Sequence, residues 1–232
     1  LRRRVQSFEL TGPAEVAMNN TIRAYSKMPV RVHLANDILA DDILADDILA
    51  DEFLADEAAR EAESSDEIEM QIARAEPAAQ DVLALELVAA DGQELPAYEA
   101  GAHIDLYLRP GLVRQYSLTG DPADRSKYRL GVLREPDSRG GSVALHDEFG
   151  IGDHLTISMP RNHFALKPAR HTILFAGGIG ITPMMNMAYA LDRAGASWEL
   201  HYCGRYEERL AFRSELAQFG DKIHLHISTG RS

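Results

Sequence analysis

The chain has 232 residues, 45% of them hydrophobic, enough for one or two domains with a sizeable core. Its net charge of −12 comes with no basic stripe interleaved with aromatics, which argues against nucleic-acid binding, and no run of about 18 apolar residues is present to span a membrane. A single cysteine, Cys203, excludes an internal disulfide framework and a four-thiolate iron–sulfur cluster, and points to a reducing, cytoplasmic setting.

The start, LRRRVQSFEL, is basic but lacks the apolar run of a secretory signal. It opens on Leu1 rather than methionine, which reads as a piece of a longer product, with Met18 and Met28 as candidate starts. Residues 1–35 show no clear period. Residues 36–56, NDILADDILADDILADEFLAD, repeat a five-residue unit four times. On a helix a five-residue step turns each apolar pair by about 140° from the last, so the pairs spiral and form no stripe. Between Asn36 and Glu69 stand 14 acidic residues and one basic residue, Arg60, so the acidity of the chain belongs to this segment. Two roles stay open for it: a low-complexity leader, or an acidic-hydrophobic segment that binds a partner. Residues 1–67 are expected to be a disordered leader.

From Ile68 the texture changes. Ile68 to Ile72 alternates apolar and polar residues, as a half-buried strand does. Further strands are expected at 81–88, 102–108, 113–118, 128–134 and 154–158, with turn signals at Asp91-Gly92 and Arg109-Pro110-Gly111. One helix-like insert runs from Ser142 to Phe149. About six short strands with frequent turns predict an antiparallel barrel or sandwich over residues 68–168.

After Pro168 the pattern becomes β-α-β-α-β: strands at 172–176, 198–203 and 222–228, helices at 183–193 and 207–219. That is the first half of a doubly wound parallel sheet, over residues 169–232. The first strand of such a sheet normally lies in its middle, so its uncovered edge predicts a product that continues beyond Ser232.

Three segments carry chemistry. In Arg114-Gln115-Tyr116-Ser117, strand alternation puts Arg114 and Tyr116 on one face. An arginine fork suits a phosphate, a tyrosine ring a flat heterocycle, and the Ser117 hydroxyl a polar ring edge, together the needs of a flavin. By itself the motif also fits an ordinary strand with an exposed arginine. In Arg139-Gly140-Gly141-Ser142 the glycines permit close backbone approach, and Ser142 is a candidate N-cap for a helix whose start could hold phosphate beside Arg139. A plain capped turn is the alternative. Gly177-Gly178-Ile179-Gly180-Ile181-Thr182-Pro183 lies between a strand and a helix, where open α/β sheets bind pyrophosphate. Gly178, Gly180, Thr182 and Pro183 are its candidate contacts. Arg205, just after the second strand, is a candidate for the adenosine half or a solvated loop residue. No metal site is expected: His224 and His226 share a strand face and are read as a surface pair. Cys203 is read as a buried strand residue.

The ordered set RQYS, RGGS, PRNHF and GGIGITP resembles the phthalate dioxygenase reductase type, including the vanillate demethylase reductases, within the ferredoxin–NADP reductase superfamily. The resemblance covers residues 68–230. It implies an antiparallel β-barrel flavin domain followed by a partial α/β doubly wound nucleotide-binding domain. It implies FMN held by Arg114, Tyr116, Ser117 and the Gly140-Gly141-Ser142 turn, and NADH at Gly178, Gly180, Thr182 and Pro183. Asn162, His163 and Phe164 would lie near the domain interface. Hydride would pass from NADH to the flavin N5 beside Ser117. Electrons would then pass through a [2Fe-2S] domain, absent from this chain, to a Rieske-type oxygenase. The nicotinamide domain's C-terminal part, with its cysteine-glycine motif, is absent too. An FAD-dependent flavodoxin or ferredoxin reductase, and a flavin-binding fragment without turnover, are the other expectations.

Overall fold

The computed structural model describes residues 5–10, 15–18, 23–27, 30–34, 67–135 and 140–228. Two compact units are present, Leu1–Ser64 and Ser65–Ser232. In the first, β1 (Val5–Leu10) pairs antiparallel with β4 (Val30–Leu34), and β2 (Glu15–Met18) with β3 (Arg23–Lys27). The sequence, which shows no period there, did not predict these strands. The acidic repeat at 36–56 lies outside the described residues.

The second unit opens with six antiparallel strands: β5 (Glu67–Ala79), β6 (Val82–Ala89), β7 (His103–Arg109), β8 (Leu112–Ser117), β9 (Tyr128–Leu133) and β10 (His154–Ser158). Their order is β8-β7-β10-β5-β6-β9, and a Leu118–Leu130 bridge brings the two edges together into a barrel. Alternation makes the core: Leu85, Leu87, Ile104, Leu106 and Leu130 are fully buried, each worth roughly 1.5–3 kcal/mol by transfer. Gly92 and Gly111 take left-handed φ values of 74° and 76° in the turns that the sequence marks. Helix α1 (Gly141–Asp147) adds Ala144 and Leu145 to this core.

Three parallel strands follow in the order β11-β12-β13: β11 (Thr172–Gly177), β12 (Trp198–Gly204) and β13 (Ile223–Ile227). A 3-10 turn, Gly178–Gly180, joins β11 to helix α2 (Ile181–Arg193). Ile181, Met185, Ala188 and Leu191 recur at helical spacing and pack on Leu174, Leu200 and Tyr202. The helix stops at Gly195, φ 62°, whose N–H bonds the Asp192 carbonyl.

The helix expected over 207–219 is instead broken. It comprises a 3-10 turn (Glu207–Arg209), a single helical turn α3 (Arg213–Leu216) and a second 3-10 stretch (Ala217–Lys222). Leu210, Ala211 and Phe212 are consecutive and all buried, which one face of a helix cannot achieve. Phe212 adopts φ 60°, and the Ala211 N–H donates to the Tyr202 hydroxyl at 2.9 Å.

The barrel and the parallel sheet meet within this unit. Arg129 on β9 makes a two-point contact with Glu215 on α3, at 2.6 and 2.8 Å. Gly131 on β9 has no room for a side chain: a Cβ there would stand 2.8 Å from Thr182 and 2.9 Å from Phe212.

Candidate functional site

Strand β8 carries the RQYS segment. Arg114 lies opposite Leu106 and Tyr116 opposite Ile104 on β7, so both side chains share the barrel-facing side. Tyr116 is 8% exposed and belongs to the barrel core, and burial pushes its phenol pKa up. So little exposure leaves only a small part of the ring free to meet a stacking partner.

Arg114 runs across the start of α1. A Cβ placed on Gly141 would stand 2.4 Å from Arg114 Cγ and 2.8 Å from its Nε. Gly141 is therefore the surface on which the arginine stem rests. Gly140 precedes it at φ 87°, a conformation that favours glycine. Ser142 does not cap the helix: Gly140 holds the N-cap position, and the Ser142 hydroxyl accepts the Glu135 N–H at 3.1 Å. The left-handed glycine turn does the work the sequence assigned to the serine. Arg139 lies outside the described residues. A second cation reaches the turn instead: Arg109, at the end of β7, has Nη2 3.8 Å from a Cβ built on Gly140. It is half exposed and pairs with Glu148 at 3.4 Å.

At the other end of β8, roughly 10 Å along the strand, Ser117 lies opposite His103 and is 7% exposed. The His103 ring stands 5.1 Å from that of His163 in the PRNHF segment. Burial, with His163 and Arg161 adding to it, lowers the His103 pKa to about 4. Its Nε2 is a buried atom with no hydrogen-bond partner among the described residues, as is Thr119 Oγ1 two residues beyond Ser117. Buried polar atoms are nearly always satisfied, so these two, close in sequence or pairing to Ser117, are exceptions.

The glycine turn after β11 is open. A Cβ on Gly177, Gly178 or Gly180 would meet nothing within 4 Å. Gly178 needs its glycine for φ 53°, whereas Gly180 sits at φ −61°, allowed for any residue. Neither backbone nor packing requires glycine at 180. Pro183 lies in the first turn of α2, where its missing N–H costs nothing. The Thr182 hydroxyl donates to the Ile179 carbonyl at 3.0 Å and its methyl lies against Gly131, so the side chain is turned into the protein. Arg205 is exposed just after β12, whose Cys203 pairs with Gly177 at the start of the glycine turn.

One residue ties the two halves together. Asn186 on α2 is fully buried; its Oδ1 accepts the Gly101 N–H at 3.0 Å and its Nδ2 donates to the Leu118 carbonyl at 2.7 Å. Leu118 directly follows Ser117. Asn162 adds to the clamp by donating to the Ala100 carbonyl and accepting from the Phe164 N–H, both at 3.0 Å.

No family model matches the chain. Among individual proteins, it is 46% identical over 166 residues to vanillate O-demethylase oxidoreductase of Pseudomonas sp. (strain HR199 / DSM 7063), covering 70% of this chain and 52% of the relative. It is 44% identical over 167 residues to the carnitine monooxygenase reductase subunit of Escherichia coli (strain K12), covering 69% and 52%. The structure of phthalate dioxygenase reductase, described as a modular structure for electron transfer from pyridine nucleotides to [2Fe-2S], superposes with a TM-score of 0.68 at 38% identity over 71% of this chain and 52% of that one. The chain belongs to the phthalate dioxygenase reductase and vanillate O-demethylase reductase family, in the ferredoxin–NADP reductase superfamily. It spans about half the length of the curated members it matches.

Arg109 and Asn186, like His103 and Thr119, are candidate site residues that the sequence did not reveal. Arg109 reads there as part of an Arg-Pro-Gly turn, and Asn186 as one polar residue in the apolar run MMNMAYAL. His224 and His226 are more than a surface pair: both are partly buried and stack on the buried His201, at 4.8 and 5.1 Å between ring centroids. Cys203 is partly buried, and burial raises its thiol pKa to about 11. Among the described residues no helix is long and apolar enough to cross a membrane.

Proposed function

We propose that this chain carries the flavin site and the first part of the nicotinamide site of an NADH-oxidising reductase that feeds electrons to an oxygenase. The observation that carries the reading is the Asn186 clamp, which joins the RQYS strand to the helix that follows the open glycine turn. Family membership and the names of the relatives, a demethylase oxidoreductase and a monooxygenase reductase subunit, support the reaction class.

The residues present fit a flavin mononucleotide. Arg114 and Arg109 flank the Gly140-Gly141 turn, where two cations and an open backbone suit one phosphate. The ribityl chain would follow β8 to Ser117, where the orphaned His103 Nε2 and Thr119 Oγ1 offer polar contacts to the ring edge. When bound, the flavin supplies the hydride acceptor and the means to release electrons singly. Ser117 would offer its hydroxyl as the hydrogen-bond partner of the flavin N5. Gly178 and Gly180 let the NADH pyrophosphate approach the backbone, with Thr182 and Pro183 shaping the helix start and Arg205 reaching toward the adenosine end. The one cysteine cannot hold a [2Fe-2S] cluster, so no electron step through a cluster belongs to this chain. A Rieske-type oxygenase as the final partner and a cytoplasmic location complete the proposal.

The test is flavin retention by Arg114→Ala. FMN binding is followed by quenching of flavin fluorescence, and the flavin released on denaturation is identified as FMN or FAD. A loss of about tenfold or more in FMN affinity is expected when a charge-assisted phosphate contact worth roughly 1.5–3 kcal/mol is removed. Unchanged affinity would refute the phosphate assignment, and FAD as the bound flavin would overturn FMN.

A further inference from the structure

We propose that Glu199, His201 and His224 form a binding site for a divalent transition-metal ion of zinc type, on the face of the parallel sheet turned away from α2. Strand pairing builds it. In the parallel register His201 on β12 lies directly opposite His224 on β13, so both rings stand on one face. Glu199, two residues before His201, stands on the same face. The alternate residues Trp198, Leu200 and Tyr202 point the other way, into the core shared with α2. The site is therefore separate from the glycine turn and its helix.

The distances suit coordination better than hydrogen bonding. Glu199 Oε1 lies 3.5 Å from His201 Nε2, and Glu199 Oε2 lies 3.5 Å from His224 Nε2. Both are long for a hydrogen bond. Two donors each about 2.0–2.1 Å from a tetrahedral zinc stand roughly 3.4 Å apart. One ligand atom from each of the three residues falls within 4.8 Å of the others. The His224 side chain, 37% exposed, has room to close the remaining gap.

The ring of His201 is already held for the task. Its Nδ1 lies 2.9 Å from His226 Nε2, which fixes the rotation and directs Nε2 toward Glu199. Phe175, its pairing partner on β11, stacks on the His201 ring at 5.1 Å. Metal-bound histidines characteristically have the second ring nitrogen tied in this way. The His201 side chain is 2% exposed and Glu199 13%, whereas His224 and the nearby His171, 3.7 Å from Glu199, are open to water. Three protein ligands with one open side match a three-ligand zinc site with water in the fourth position. Two imidazoles and one carboxylate favour zinc, nickel or copper over calcium or magnesium, which take mostly oxygen ligands.

The test is calorimetric titration of zinc chloride into the full chain, purified without a histidine tag and stripped with chelator. One-to-one saturable binding is expected. His224→Ala and Glu199→Gln should each weaken it by at least about tenfold, while His154→Ala, on the barrel, leaves it unchanged. His226→Ala, outside the ligand set, should weaken it by about tenfold with the stoichiometry kept. Absence of saturable binding, or binding that survives both His224→Ala and Glu199→Gln, overturns the site. Because flavin plays no part in this titration, the result is independent of the proposed reductase function.

Discussion

Asn186→Leu is the substitution that bears most directly on how the two cofactor half-sites are joined. Leucine has similar size and a better helix propensity, so the variant changes little except polarity. It removes the acceptor for the Gly101 N–H and the donor to the Leu118 carbonyl, at 3.0 and 2.7 Å, in a place with no exposure to water. Each buried group left unsatisfied costs about 1–3 kcal/mol. Two such groups, offset in part by the leucine's apolar transfer, give a net loss of about 2–4 kcal/mol. Urea unfolding followed by the fluorescence of Trp198, the single tryptophan of the chain, reports on the unit that contains the clamp. The variant's midpoint should fall while the slope holds, and FMN affinity should fall with it, because Leu118 adjoins Ser117. A loss below about 1 kcal/mol, with FMN binding intact, refutes the view that Asn186 holds the strand end in place.

Three other outcomes are expected. Gly141→Ala forces Arg114 off its resting surface, since a Cβ there would stand 2.4 Å from Cγ, so FMN affinity in a fluorescence titration should drop nearly as far as in Arg114→Ala; wild-type affinity would show that the arginine acts from elsewhere. Gly180→Val should leave the unfolding free energy within about 1 kcal/mol of wild type, because φ is ordinary and space is open, while NADH binding is blocked; retained NADH affinity would move the pyrophosphate away from this turn. His103 keeps its imidazole neutral down to about pH 4, against an ordinary 6.5, so the unfolded chain takes up a proton first. Its contribution is full above about pH 6.5 and is lost as pH falls toward 4, by up to roughly 3 kcal/mol. The difference in stability between wild type and His103→Gln should shrink over that range, and a pH-independent difference would show that His103 is not held neutral.

The barrel was legible because its strands alternate over short spans and its turns carry glycine where left-handed backbone is needed. Strand β5 was underestimated: its pairing with β6 continues through irregularities at Ile72/Arg74 and Pro77/Ala79, and such shifts interrupt the alternation by which a strand is read. The helix expected over 207–219 failed for a physical reason, since three successive buried residues, Leu210 to Phe212, need a backbone reversal rather than a helical face. The glycine turn and the RQYS strand were visible because each is local. Asn186 was not, because its partners lie 85 and 68 residues away, and no local pattern distinguishes a clamping asparagine from a tolerated one. The same holds for Glu199, His201 and His224. His224 and His226 look like a simple surface pair until parallel pairing sets β12 beside β13. Arg109 sits in a turn signal, and only the hairpin geometry carries it to Gly140.

On the proposed function, flavin and NADH meet in this unit. The most direct measurement is an anaerobic visible spectrum of the chain reconstituted with FMN, taken before and after adding NADH. A protein-bound flavin band that bleaches on NADH addition is the expected result. A chain that retains no FMN, or a bound flavin whose spectrum NADH leaves unchanged, would contradict the claim.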